Sequence, residues 1–377
     1  MGLAEHLSRQ ARANRLANRR LHTALAGLDE AAFHAPRIGF FPSLAATLNH
    51  ILAVDGYYLA ALRGECDMLR RWSEFRPAAR LDELAARQAA QDEALIAHCD
   101  ALDDARAAAT VTLDRGEQLQ HDRAGDVLQH LFMHQTHHRG QAHAMLSGTP
   151  AAPPQLDEFL LASDAPLREA DLRGLAPAEA AQVGLGWSEA QLFPPAPAAG
   201  QAEALAPLRA HLATLARYGL WATRRLAERV AALPEADYRR DVGLFFGSVH
   251  GTLNHLLVAE HHLWFPRFAE GRSPRLQLDD ELEHDRARLA ERLEAGARRW
   301  PGFVAAVEDG RLGGTLAYVT TSGQPAELPF GATLAHVFNH GSHHRGQISA
   351  ALTALGQPPP ELDLVLMLQA EARVAAR

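Results

Sequence analysis

The chain has 377 residues, 47% hydrophobic and 6% aromatic, which allows two domains of ordinary size, each with its own core. A net charge of −8, with every basic residue an arginine, excludes a general nucleic-acid binder, because phosphate neutralisation needs a basic face. Cys66 and Cys99 exclude a disulfide framework and, with no stretch near the ~20 apolar residues of a membrane span, the expectation is a cytoplasmic protein without membrane contact.

In chain order, the first half opens with a helical segment carrying Arg9, Arg12, Arg15, Arg19 and Arg20, too polar for a leader peptide. Ser43 is placed to cap a second helix, Arg115-Gly116 to turn a short hairpin, and a histidine-rich helix follows. Residues 171–200, rich in alanine, glycine and proline and ending in Phe193-Pro194-Pro195-Ala196-Pro197, read as a linker. The order then repeats. Glu203 to Leu233 is helical until Pro234, and Ser248 caps the next helix. Leu278-Asp279-Asp280 opens a charged amphipathic helix ending at Trp300, before Pro301. Thr315 to Pro329 is a hairpin around Ser322-Gly323, and the last helix runs from near Gly331 to Gly356. The predicted fold is all-α: two tandem four-helix bundles, residues 1–170 and 201–377, each with a short β-hairpin before its last helix.

The repetition is also literal. Thr47-Leu48-Asn49-His50 recurs as Thr252-Leu253-Asn254-His255, 205 positions on. His134-Gln135-Thr136-His137-His138-Arg139-Gly140-Gln141 recurs as His340-Gly341-Ser342-His343-His344-Arg345-Gly346-Gln347, 206 positions on. Phe40-Phe41-Pro42-Ser43 pairs with Phe245-Phe246-Gly247-Ser248, and Asp157 with Asp363. Offsets constant to one residue across both halves mean duplication of a whole domain.

Histidine is the unusual residue type, with 21 in the chain. His134 and His138, four apart on a helix, share one face about 6 Å apart along the axis and can converge on one cation. His50 is the candidate third ligand from another helix; His255, His340 and His344 form the equivalent set. A lone pair at this spacing is common in histidine-rich helices, but here the pair and its third partner occur twice. Three neutral imidazoles suit zinc or nickel, with iron or manganese less favoured, and leave coordination positions open for chemistry. His130 and His336, one turn earlier, are candidates to replace a ligand or support one. Asp55 and Glu260, five residues after the helix-two histidine, are the nearest retained carboxylates, and an exposed salt bridge is their alternative. His137 and His343 lie off the ligand face and are expected to hydrogen-bond within the bundle. Gly140 and Gly346 each cost a helix about 1 kcal/mol relative to alanine, which a close helix crossing would explain. Arg139 and Gln141 could orient an imidazole, bind an acidic substrate group or be structural. His6, His22, His98, His211 and His284 show no counterpart and read as surface residues.

The pairing of Thr-Leu-Asn-His on helix two with His-x-x-x-His-Arg-Gly-Gln on helix four resembles the DinB/YfiT-like metalloprotein family, over residues 10–165 and 210–370. The resemblance implies bundles of up-down-down-up topology, a divalent metal in each, and ligands His50, His134 and His138, then His255, His340 and His344. Relatives that use low-molecular-weight thiols imply a thiol and an electrophile as substrates. Frequent dimers in the family imply that the tandem is an intrachain pseudo-dimer, with any further oligomer open.

Two classes of function follow. One is a metal-dependent transferase that activates a small thiol, or a hydrolase acting through metal-bound water. The other is a non-catalytic metal-binding scaffold with a stress or regulatory role. A ferritin-like di-iron bundle would need inward glutamates with Glu-x-x-His pairs, and none is placed symmetrically.

Overall fold

The computed structural model describes residues 2–37, 39–156 and 202–375. The first half is built from α1 (Leu3–Leu25), α2 (Leu44–Leu62), α3 (Leu81–Asp100), a hairpin of β1 (Thr110–Asp114) and β2 (Leu119–Arg123), and α4 (Ala124–Leu146). The second repeats the order with α5 (Ala202–Ala231), α6 (Val249–Leu256), α7 (Arg286–Ala306), β3 (Thr315–Val319), β4 (Pro325–Pro329) and α8 (Phe330–Ala354), then adds α9 (Leu364–Ala375). Each half is an up-down-down-up bundle in which the first helix packs on the third and fourth, and the second on the fourth. The only sheets among the described residues are the two antiparallel hairpins. No described helix is long and apolar enough to cross a membrane.

Local chemistry accounts for the boundaries. Ser43 and Ser248 accept hydrogen bonds from the backbone N–H groups of Ala46 and Gly251, starting α2 and α6 as expected. Gly116 and Gly323, at φ of 86° and 84°, supply the left-handed residue of each hairpin turn. The turn is 115–118 in the first half and 320–324 in the second, so the step from a 205- to a 206-residue offset lies there. Beyond Leu256 the helix continues through a π-helical stretch, Leu257–Trp264, into Phe265–Ala269.

Two expectations about the third helix of the second half are corrected. It starts at Arg286, because Asp280 uses its carboxylate to close a turn on Gln277 N–H while Asp285 caps the helix. It also runs through Pro301 to Ala306. The neighbouring Trp300 is buried against Phe265, Phe268 and Phe338, and that packing offsets the hydrogen bond a mid-helix proline loses, a cost of ~3 kcal/mol. The linker at 171–200 and Asp157 lie outside the described residues.

The two halves meet along α4 and α8, which are buried over nearly their whole lengths. They cross at Gly140 and Gly346: a Cβ on Gly140 would press into the His343 carbonyl oxygen, and one on Gly346 into that of His137. Around the crossing, Thr136 donates to Asn339 at 2.9 Å, and Met133 belongs to the core of the second half.

Histidines also line this seam, against expectation. His6 and His211 are not the unmatched surface residues that the sequence suggests: they stand 205 positions apart on the repeat diagonal and are buried, their rings 5.2 Å apart edge to face. Both belong to first helices, so duplication brings equivalent residues together where the halves meet. His22 and His98 are half-buried, and only His284 of that group is exposed.

Two predictions follow from this seam. Gly140→Ala or Gly346→Ala should destabilise by about 1–3 kcal/mol, as overpacked sites do, in urea unfolding curves; an unchanged midpoint would mean the crossing is not close. Burial also holds His211 down at about 3, so the unfolded chain binds more protons than the folded one below pH 6.5. Stability is therefore intact above that pH and falls on acidification, by about 2 kcal/mol at pH 5 from this residue. His211→Phe should flatten the pH dependence of the melting temperature between pH 7 and 5.

Candidate metal centres

Helix spacing brings the ligand candidates together. α4 carries His134 and His138 on one face, and α2 delivers His50 opposite them; α8 and α6 do the same with His340, His344 and His255. In each set, one nitrogen per residue lies within 4.8 Å of the others, and these are the two such groups among the described residues.

The hydrogen bonds around each set decide which nitrogen faces inward. His138 Nδ1 donates to Gln141 Oε1 at 2.8 Å, and His344 Nδ1 to Gln347 Oε1 at 2.8 Å. His255 Nδ1 donates to the Leu278 carbonyl at 2.8 Å. A neutral imidazole that donates through Nδ1 keeps its lone pair on Nε2. Meanwhile His50 Nε2 stands 3.0 Å from His134 Nε2, and His255 Nε2 stands 3.1 Å from His340 Nε2. Two bonds of ~2.0–2.1 Å at a tetrahedral angle place their donors about 3.3 Å apart, so the spacing fits one divalent ion.

Electrostatics agree with the donor chemistry. Burial lowers His50 and His255 to about 4, and burial with neighbouring imidazoles drives His134, His138, His340 and His344 well below the usual histidine value. All six are neutral at pH 7, as ligation requires.

The surrounding candidates divide. Gln141 and Gln347 act on the ligands directly: each accepts from one ligand, and its amide nitrogen also meets His137 or His343 at 3.2 Å. Those histidines thus hydrogen-bond within the bundle. The same amides reach across the seam, Gln141 to Ser349 at 3.3 Å and Gln347 to His143 at 2.9 Å. Asp55 and Glu260 are buried rather than exposed, and their bonds go elsewhere than the ligand rings. Asp55 accepts from Gln88 and Gln135, and Glu260 from Arg345 at 3.1 Å. Arg139 is held by Asn14, Asn18 and Gln135 in a buried network. His130 lies next to His134 and accepts from the Val365 backbone N–H at 3.3 Å, while His336 packs edge-on to Trp264.

Three features of the site were not identified from sequence. Phe41 lies 4.3 Å from the His50 ring and Phe246 stacks on His255 at 3.8 Å; both belong to the retained Phe-Phe pairs, which were the available signal. Trp72 stands edge-on to His50 at 6.5 Å. Asp363, from the second half, acts on the first site: beneath the dominant lowering by burial, its charge raises His50, His130 and His137.

A family model described as DinB family matches residues 5–170 and again 208–374. Protein DinB of Bacillus subtilis (strain 168) is 28% identical over 160 residues, covering 41% of this chain and 91% of that protein. No solved structure matches the chain.

If the glutamines hold the ligand rings, Gln141→Leu and Gln347→Leu should each weaken one site 10–100-fold in a chelator competition. Wild-type affinity in both variants would show that the amides do not orient the imidazoles.

Proposed function

The chain belongs to the DinB family through both of its halves, and from that premise we propose that it is a divalent-metal-dependent transferase using a low-molecular-weight thiol. Family membership and the two histidine triads fit a metal-binding protein. The observation that carries the metal reading is the facing of two Nε2 atoms at 3.0–3.1 Å in both halves. At His255 the Nδ1 proton is committed to a backbone carbonyl, so its Nε2 lone pair faces its neighbour. Two nitrogens that close and buried repel unless a proton or a cation lies between them.

His50, His134 and His138 would hold one ion, and His255, His340 and His344 the other, with zinc or nickel favoured by the all-imidazole donor set. Such an ion supplies Lewis acidity that favours the thiolate form of a thiol at neutral pH. Three protein ligands leave room for that thiol. In the transfer, a bond forms from sulfur to the electrophilic carbon as the bond to the leaving group breaks. The leaving group takes the electron pair, and the thiol proton passes to solvent. The chain's part is to keep the imidazoles neutral, orient them through Gln141 and Gln347, and exclude water with Phe41 and Phe246. Hydrolysis by activated water is less well supported, because the carboxylates Asp55 and Glu260 are engaged in buried bonds of their own.

The test is a screen of small thiols against alkylating electrophiles, following thiol consumption with metal-loaded protein. Turnover that disappears in a His134→Ala, His340→Ala double variant supports the transferase. Absence of turnover with every thiol, while two ions per chain are retained, would favour a metal-binding scaffold.

A further inference from the structure

The two centres share a ligand set but differ in how they meet solvent. His255 is only 2% exposed, while His50 is half-buried. The segment after the second helix makes the difference. In the first half it forms a short helix, Met68–Ser73, which holds Trp72 at the edge of the site with 47% of its surface exposed. Both stretches open on a left-handed glycine, Gly64 or Gly271, but in the second half Pro274 follows and the chain stays irregular. That irregular chain lays the Leu278 carbonyl on His255 Nδ1, and Phe246 stacks flat on the same ring, 16° from parallel. Among the described residues, none hydrogen-bonds to His50 Nδ1, and Phe41 is tilted 33° from its ring.

Beside His50 the first half has an open cleft of about 680 Å³. Its walls include Ala45, Ala46, Ala53, Trp72, Phe75 and Pro77. The polar side chains on its surface are already engaged. Asn49 is bonded to the backbone of Ala45 and Ala78, His34 to the Ala79 carbonyl, and Ser43 to Ala46 N–H. Among the described residues, no Asp, Glu or Arg lines it. A wall of this kind recognises an apolar, uncharged body by area, and offers nothing to a phosphate or a carboxylate.

We propose that the duplication has divided the work: the His50 centre is the reactive one and binds an electrophile with an apolar, uncharged body in the adjoining cleft, while the His255 centre, with its second-helix ligand covered, holds its ion screened from substrate. This rests on the thiol-transferase reading for the reaction, but the division itself concerns access alone. Both triads have three protein ligands, so what separates the two centres is access from solvent rather than the number of ligands.

Full-length protein loaded with two cobalt(II) ions tests the division by two routes. On mixing with excess EDTA, one ion should leave at least tenfold faster than the other; His50→Ala should abolish the fast phase and His255→Ala the slow one. Titration with 2-mercaptoethanol should develop sulfur-to-cobalt charge-transfer absorption saturating at one thiolate per chain. Ala53→Phe, which fills the cleft and leaves every ligand in place, should leave that absorption intact and raise the KM for a benzyl halide in the thiol screen; an unchanged KM would overturn the assignment of the cleft. Loss of both ions at one rate, or two thiolates per chain, would overturn the division. Two release phases without any thiolate absorption would support it while sinking the thiol chemistry, and failure to hold cobalt at all would overturn both.

Discussion

Helices α4 and α8 each face two ways, and the rest of the molecule is arranged around that demand. One face of each presents two imidazoles to a helix of its own bundle; another presses a glycine onto the backbone of its counterpart. Burial serves both faces: it holds the imidazoles in the neutral form that ligation requires, and the backbones can approach only where side chains are missing. Full burial follows, and with it the need to satisfy every polar group inside the seam.

The glutamines after the histidine pairs meet that need for the ligand rings, while among the described residues the ring nitrogens of His6 and His211 in the same seam have no hydrogen-bond partner. Each glutamine fixes the ring of a ligand and then spends its amide nitrogen on the opposite half, on Ser349 or on His143. A ligand and the inter-half contact are therefore joined by a single side chain on either side. The tail of the second half extends the same logic, since the Val365 backbone reaches His130 and Asp363 adds negative charge near His50. The first centre is thus partly furnished by the second half, which gives a physical reason for two copies to share one chain.

Much of this was legible in the residues because the chain carries its own comparison. The order of helices, the serine caps, the hairpin turns and the glycine crossing each have a local chemical cause, and each appears twice. Where legibility failed, the cause was physical too. Acidic residues mark helix starts and tight turns alike, so Asp280 could not be told from Asp285 without the geometry. Pro301 ends a helix by propensity, yet tertiary packing of Trp300 outweighs it. His6-Leu7 and His211-Leu212 match on the repeat diagonal, as do Ala11-Arg12 and Ala216-Arg217, but a match this short and scattered does not announce the seam that buries the two histidines. The Leu278 carbonyl on His255 is backbone chemistry, which no residue type announces.

In each half, imidazoles from two helices are proposed to meet at one divalent ion. Crystals of the zinc-loaded chain, with diffraction recorded on either side of the zinc absorption edge, address it most directly. Two anomalous peaks are predicted, each ~2.0–2.1 Å from nitrogens of His50, His134 and His138 or of His255, His340 and His344. Peaks elsewhere, or rings hydrogen-bonded to one another with no anomalous signal between them, would contradict it.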